Sequence, residues 1–241
     1  MTSRRHADEL IARGKVRVNG RVTREMGTLV RPGDRVDVSG TPVEPSEQAV
    51  YLVLHKPVGV VTTMRDPQGR RTIRDLLPPG PRIVPVGRLD VDTSGVLLLT
   101  NDGELANRLL HPRFGVEKTY RATIAGRLSP NDVRALQEGV SFDGIRAAGV
   151  KLRVIAVRRD HSVVDVVLHE GRNRQVRRMF EALGHAVIAL LRTRFGPVPL
   201  GDLAVGQLRP LSDKERAALA RLRTEAEGMR ANRSGHQKGT H

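Results

Sequence analysis

The sequence predicts an α+β fold class, a small basic segment ahead of one larger body, on three observations. Stretches with the two-residue period of strands and stretches with the helical period both occur, but without the regular alternation of a doubly wound parallel sheet. No glycine-rich phosphate loop follows a strand, and there is no internal repeat. Composition changes twice: residues 39–48, Ser-Gly-Thr-Pro-Val-Glu-Pro-Ser-Glu-Gln, have linker character, and from about 223 the chain turns polar. The expected organisation is a domain at 1–40, a linker at 41–48, a body at 49–222 and a disordered basic tail at 223–241.

Taken in order, residues 6–12 read as a helix and Lys15-Val16-Arg17-Val18 alternates like a strand. Asn19-Gly20 is a type I′ hairpin signal leading into a second short strand at 21–23. Pro32-Gly33-Asp34 turns into Arg35-Val36-Asp37-Val38, a third. In the body, strands are expected at 51–54, 96–100, 120–125, 163–168 and 187–191, and helices at 104–110, 130–138 and 174–183.

The 241 residues carry 41 basic against 26 acidic side chains, a net charge of +15. All but six of the basic residues are arginine, a skew that a GC-rich genome produces by itself, but exchanging Lys for Arg creates no net charge. The excess therefore points to a polyanionic partner, since each phosphate contact releases condensed counterions. The absence of cysteine excludes disulfides, thiolate metal sites and a cysteine nucleophile. No apolar run approaches the roughly 20 residues a membrane span needs. Met-Thr-Ser-Arg-Arg-His leads into a charged helix rather than a signal segment, so a cytoplasmic protein is expected.

Three motifs carry chemistry. In the first, Gly87-Arg88-Leu89-Asp90-Val91-Asp92-Thr93-Ser94-Gly95, a loop dense in polar residues precedes the buried strand Val96-Leu97-Leu98-Leu99-Thr100. A carboxylate on such a loop, Asp90, is well placed for catalysis because the scaffold is rigid and the tip accessible. The structural alternative is an Asx-turn, with the Asp90 carboxylate bonding backbone near Asp92 or Thr93. Asn101-Asp102-Gly103 then caps a helix that His111-Pro112 ends.

The second motif, Glu117-Lys118-Thr119-Tyr120-Arg121-Ala122-Thr123-Ile124, puts Lys118, Tyr120, Ala122 and Ile124 on one strand face. Tyr120 either packs in the core with its hydroxyl at the edge or stacks on a nucleobase.

The third, Glu170-Gly171-Arg172-Asn173-Arg174-Gln175-Val176-Arg177-Arg178-Met179-Phe180, follows a strand and enters a helix. Val176, Met179, Phe180 and Leu183 recur at helical spacing and face the core, with Gly184 as the cap. At about 100° per residue, Arg174 and Arg178 project away from that stripe, while Arg177 falls on its flank, where a side chain is half buried. A half-buried arginine requires a carboxylate, so Arg177 is the expected ion-pair arginine, with Arg172, Arg174 and Arg178 as phosphate contacts. The alternative is a solvated arginine-rich helix face.

Together the motifs resemble a family. Gly-Arg-Leu-Asp-x-x-Thr-Ser-Gly-x-Leu-Leu-Leu-Thr-Asn-Asp-Gly at 87–103 is similar to the signature of the ribosomal RNA pseudouridine synthases of the RsuA/RluB type. His55-Lys56-Pro57-Val58-Gly59-Val60 resembles that family's opening strand and turn, Glu117-Lys118-Thr119-Tyr120 its tyrosine motif and 170–179 its arginine motif. The match spans about residues 51–211. Residues 1–40 resemble the back part of the small αL-type RNA-binding domain that this family shares with a ribosomal small-subunit protein; the helix that usually precedes residues 3–11 is missing, which implies a truncated domain or a misassigned start.

The resemblance implies a mixed, largely antiparallel sheet in the catalytic domain and a reaction without metal or organic cofactor. In that reaction the N-glycosidic bond of a uridine is cut and the base rejoined through carbon. Asp90 would be the essential carboxylate, acting either as nucleophile on the sugar or as base. Arg177 would pair with Asp90 and hold it ionised, and Tyr120 would stack on a uridine flipped out of the helix. Arg88, Arg172, Arg174, Arg178 and the basic loop at 65–74 would hold the distorted backbone, with Arg4, Arg5, Lys15 and Arg17 as RNA contacts of the N-terminal domain. The run from Glu170 to His185 is most similar to the branch acting on large-subunit (23S) rRNA near the peptidyl-transferase centre; a small-subunit (16S) target stays open. A monomer is expected, since no apolar surface for a closed oligomer is identifiable. Two rival readings are an rRNA-binding assembly factor without catalysis, and a metal-dependent nuclease using Asp90, Asp92 and Asp102.

Overall fold

A computed structural model describes residues 4–31, 33–43 and 48–221; the tail expected at 223–241 lies outside the described residues. The chain divides into two compact units, Met1–Ala49 and Val50–His241.

The first unit opens with helix α1 (Arg4–Ala12), followed by strands β1 (Val16–Val18), β2 (Arg21–Thr23), β3 (Val36–Val38) and β4 (Thr41–Pro42). They form a four-stranded sheet in the order β2-β1-β3-β4. The hairpin between β1 and β2 turns at Asn19 and Gly20, both at positive φ (51° and 79°), as a type I′ turn demands. Asn19 also locks the next connection: its side chain donates to Asp34 (2.8 Å) and accepts from the Arg35 N–H (2.9 Å). One expectation is corrected here. Thr41 and Pro42, assigned to the linker, pair with Val38 and Asp37, because Ser39 and Gly40 adopt the positive φ that turns the chain back.

The second unit comprises β5 (Tyr51–Lys56), β6 (Val84–Pro85), β7 (Ser94–Thr100), α2 (Gly103–Leu110), β8 (Lys118–Ala125), α3 (Pro130–Glu138), β9 (Ser141–Phe142), β10 (Ile145–Arg146), β11 (Lys151–Val157), β12 (His161–Leu168), α4 (Gln175–Glu181), β13 (Val187–Phe195), β14 (Val198–Pro199) and β15 (Leu208–Pro210). Nine of these strands make one sheet with the main path β11-β12-β8-β13-β7-β5-β15. Every pairing in it is antiparallel except β13 with β7, so the sheet is mixed and largely antiparallel.

The helix boundaries follow local chemistry. Ser129 and Asp132 form a reciprocal capping box at the start of α3, ahead of Pro130 at the first helical position. Asp102 caps α2 by accepting the Leu105 N–H at 2.9 Å. The apolar stripe of α4 buries Val176, Met179 and Phe180 in a cluster with Ala122, Ile124, Val164, Val166 and Leu136. A second cluster gathers Val53, Val96, Leu98, Leu105, Leu109 and Phe195. The single parallel pairing between strands of this sheet sits at a very close backbone approach. A Cβ on Gly95 would stand 2.2 Å from the Arg192 carbonyl oxygen and 2.6 Å from its nitrogen, so only glycine lets β7 lie against β13 here.

Candidate active site

The loop ahead of β7 is held on several sides. Gly59, at φ 84° in the turn after β5, donates its N–H to the Val91 carbonyl at 2.7 Å. Thr62 Oγ1 donates to the Leu89 carbonyl (2.6 Å) and lies 3.2 Å from the Leu89 N–H, which it accepts. Lys56, fully buried at the end of β5, donates from Nζ to the carbonyls of Pro57 (2.8 Å) and Thr93 (2.9 Å). Burial pushes the Lys56 ammonium down to about 8, against the opposing pull of the Asp90 and Asp92 carboxylates. The motif His55–Val60 is thus the clamp that fixes the loop.

Within the loop, the Thr93 N–H closes a turn onto the Asp90 backbone carbonyl at 3.1 Å. The turn uses that carbonyl, so the Asx-turn alternative is not what forms. Among the described residues the Asp90 carboxylate accepts no hydrogen bond; its side chain is 35 % exposed, with Arg174 Nη1 4.0 Å away. Asp90 lines a cleft of about 490 Å³ together with Arg88, Tyr120, Arg172, Arg174 and Arg192.

Arg177 is buried as its helical position predicts, but its partner is Asp92, not Asp90. Nη2 donates to the Asp92 carbonyl (2.9 Å), Nη1 to the Val187 carbonyl (2.8 Å), and Nε lies 3.2 Å from Asp92 Oδ2. The turn between Asp90 and Thr93 brings Asp92 against the flank of α4. Arg177 therefore holds the loop through a neighbour of Asp90.

The phosphate-contact expectations are corrected in part. Arg174 donates from Nη1 to both oxygens of Asp92 (3.1 and 3.0 Å), from a residue held at φ 51° just before α4. Arg178 pairs with Asp143 at 2.6 Å and does not line the cleft. Arg172 lines it while paired with Glu170 at 3.1 Å. Arg88, exposed on the rim, has no ion-pair partner among the described residues. In the loop at 65–74, Arg70 is clasped by Asp66, whose carboxyl is pulled down to about 2 by that guanidinium. In the first unit, Lys15 and Arg17 are exposed and Arg4 and Arg5 stand at the start of α1.

Tyr120 lines the cleft half-buried and also packs against two core clusters, so its ring is part of the core while its edge faces the cleft. Opposite it in the β8–β13 ladder stands Arg192, which sequence reasoning missed. It is 2 % exposed, donates from Nε to the Val96 carbonyl at 2.7 Å and reaches the Tyr120 hydroxyl at 3.4 Å from Nη1. The run Leu191-Arg192-Thr193-Arg194 reads as a polar strand end; nothing in its period marks the first arginine as buried.

No group of three or more His, Asp or Glu side chains among the described residues is arranged to hold a metal ion. Of the trio a nuclease would use, Asp92 is engaged by Arg174 and Arg177, and Asp102 caps α2.

Comparison with known proteins agrees with this architecture. A family model described as RNA pseudouridylate synthase matches residues 50–182, and an S4 domain model matches residues 2–36. The chain is 44 % identical over 230 residues to the ribosomal large subunit pseudouridine synthase B of Bacillus subtilis, covering 94 % of this chain and 93 % of that protein. An uncharacterized RNA pseudouridine synthase of Aquifex aeolicus is 40 % identical, with 91 % and 89 % covered. A crystal structure of a pseudouridylate synthase superposes with a TM-score of 0.67 at 32 % identity, covering 90 % of this chain and 94 % of that one.

Proposed function

The chain belongs to the RNA pseudouridylate synthase family, and from that premise we propose that it isomerises a specific uridine of large-subunit (23S) ribosomal RNA near the peptidyl-transferase centre, with Asp90 as the catalytic carboxylate. The observation that carries the assignment to Asp90 is its position: a carboxylate that accepts no hydrogen bond among the described residues, on a clamped loop, lining the same cleft as Tyr120. A group held in place yet unspent on structure is what a nucleophile or base requires. The large-subunit target rests on the identity to the Bacillus subtilis relative over nearly its whole length.

Each neighbouring residue has a task in this reading. Arg177 fixes the turn through the carbonyl and carboxylate of Asp92 and so sets where Asp90 points. Arg174, shared between Asp92 and the edge of Asp90, keeps positive charge beside the catalytic group. Tyr120 stacks on the flipped base, while Arg88 and Arg172 at the cleft meet the backbone of the distorted strand. The exposed Lys15 and Arg17, with Arg4 and Arg5, add sequence-independent grip on RNA. The enzyme acts as a cytoplasmic monomer without metal or organic cofactor.

Chemical mapping of pseudouridine in 23S and 16S transcripts after incubation with the protein tests the target. A single new site in 23S is expected; modification confined to 16S would overturn the choice of subunit. Tight RNA binding with no new pseudouridine in either would favour the assembly-factor reading.

A further inference from the structure

Arg192 is buried with no carboxylate within ion-pair distance among the described residues. Its Nε is taken by the Val96 carbonyl and its Nη1 makes only a long contact to Tyr120, while Nη2 has no hydrogen-bond partner. Its guanidinium carbon lies 5.0 Å from the centre of the Phe195 ring and 5.9 Å from that of Tyr120. Lys118 stands 5.6 Å from the same Phe195 ring and donates to the Val116 carbonyl at 3.0 Å. It is also buried and also has no carboxylate within ion-pair distance among the described residues. Burial, and secondarily the charge of Arg192, push the Lys118 ammonium below the ordinary lysine range. Both cations and both rings line the cleft that holds Asp90.

Burying a cation without a counter-ion costs several kcal/mol, and aromatic faces recover only part of that. A purely structural arginine at this place would be given a carboxylate, as Arg121 and Arg209 are by Asp165 and Glu215. The position is also rigid, since β13 is locked against β7 by the contact that only Gly95 permits. The cleft thus holds preorganised positive charge whose complement is missing.

The reaction supplies that complement. When the C1′–N1 bond of uridine breaks, its electron pair leaves with N1, and the freed base is a uracil anion with charge spread to its two carbonyl oxygens. Asp90 meanwhile bonds to C1′ or takes a proton from the ribose. The base turns and C5 donates an electron pair to form the new bond to C1′ as the Asp90–C1′ bond breaks or as Asp90 returns its proton to the ribose; C5 then releases its proton, and N1 takes one up. No acid among these steps neutralises the base before it is rejoined.

Resting on the functional reading above, we propose that Arg192, with Lys118 beside it, is the fixed positive charge that stabilises the departing uracil anion. A charge already in place needs no reorganisation when the anion forms, which is the most effective kind of transition-state stabilisation. The test is a leaving-group comparison under single-turnover conditions. The full chain is incubated with RNA carrying uridine or 5-fluorouridine at the target, and disappearance of the N-linked nucleoside is followed in nuclease digests. Fluorine acidifies the base and makes it a better leaving group. Arg192→Met is expected to slow the uridine reaction about 10²-fold with RNA affinity unchanged, and the 5-fluorouridine reaction much less. Arg192→Lys should recover most of the rate. Lys118→Met, which leaves the bonds of Arg192 intact, should show a smaller loss with the same dependence on fluorine; it carries the test if Arg192→Met does not fold. Equal losses on both bases, or a loss that Lys at 192 does not repair while the fold is intact, would overturn the proposal. Absence of conversion by the wild-type chain is a different pattern, and would count against the functional reading instead.

Discussion

Arg177 shows what sequence geometry resolves at the scale of one residue and what it does not. Its angle from the apolar stripe of α4 marks it as the buried arginine of the motif, which it is. Which carboxylate it meets depends on a tight turn between Asp90 and Thr93 that helical periodicity does not see. Arg177→Met should therefore act first on stability. It leaves the Val187 and Asp92 carbonyls without their donor, at a cost of about 2–4 kcal/mol, measurable by urea denaturation; an unchanged midpoint would contradict the role assigned. Lys56 gives a pH signature. Its folded value of about 8 lies below the ordinary lysine value of 10.5, so above pH 8 the unfolded chain holds a proton that the folded one has released. Its contribution to stability should accordingly rise with pH between about 8 and 10.5. In Lys56→Met the same denaturation series should lack that rise, and parallel curves for the two proteins would refute the assignment.

At the scale of elements, the strand and helix centres were largely legible. Helix α3 has the expected bounds because a capping serine and a proline mark its start and Gly139 its end. The N-terminal hairpin follows from Asn19-Gly20. Strand β11 escaped notice because it is a sheet edge, exposed at most positions and broken by a register shift between Val154 and Ala156, so it lacks clean alternation. The far half of β13 escaped because a buried arginine interrupts its apolar run. That half carries the most demanding contact in the sheet. Gly95→Ala would drive a methyl into the Arg192 backbone, and a loss of more than about 2 kcal/mol, or no soluble protein, is expected. Stability equal to wild type would show that β7 and β13 are not held so closely.

On the scale of the whole molecule, the +15 charge predicted a polyanionic partner, but most arginines of the third motif are already paired with acids of the fold. Net charge points to a polyanionic partner without saying which side chains touch it. The exposed Lys15 and Arg17 are better candidates for phosphate contact. Lys15→Glu combined with Arg17→Glu should weaken RNA binding and flatten its salt dependence, by about 0.7–0.9 in log–log slope per lost contact, while leaving single-turnover isomerisation at saturation unchanged. An unaltered slope would remove these residues from the interface. The three motifs were legible in the sequence, and residues of each meet at one cleft: Asp90 before β7, Tyr120 on β8, and Arg172 and Arg174 ahead of α4. Arg192 was not, since its meaning lies in the burial and missing counter-charge that only packing reveals.

The most direct test of the central claim is tritium release from 23S and 16S transcripts labelled at C5 of uridine, with Asp90→Asn run beside the wild-type chain. The account predicts release from 23S by the wild type and none above background by Asp90→Asn, at equal fold stability and RNA affinity. Undiminished release by Asp90→Asn would remove Asp90 from the chemistry and contradict the account.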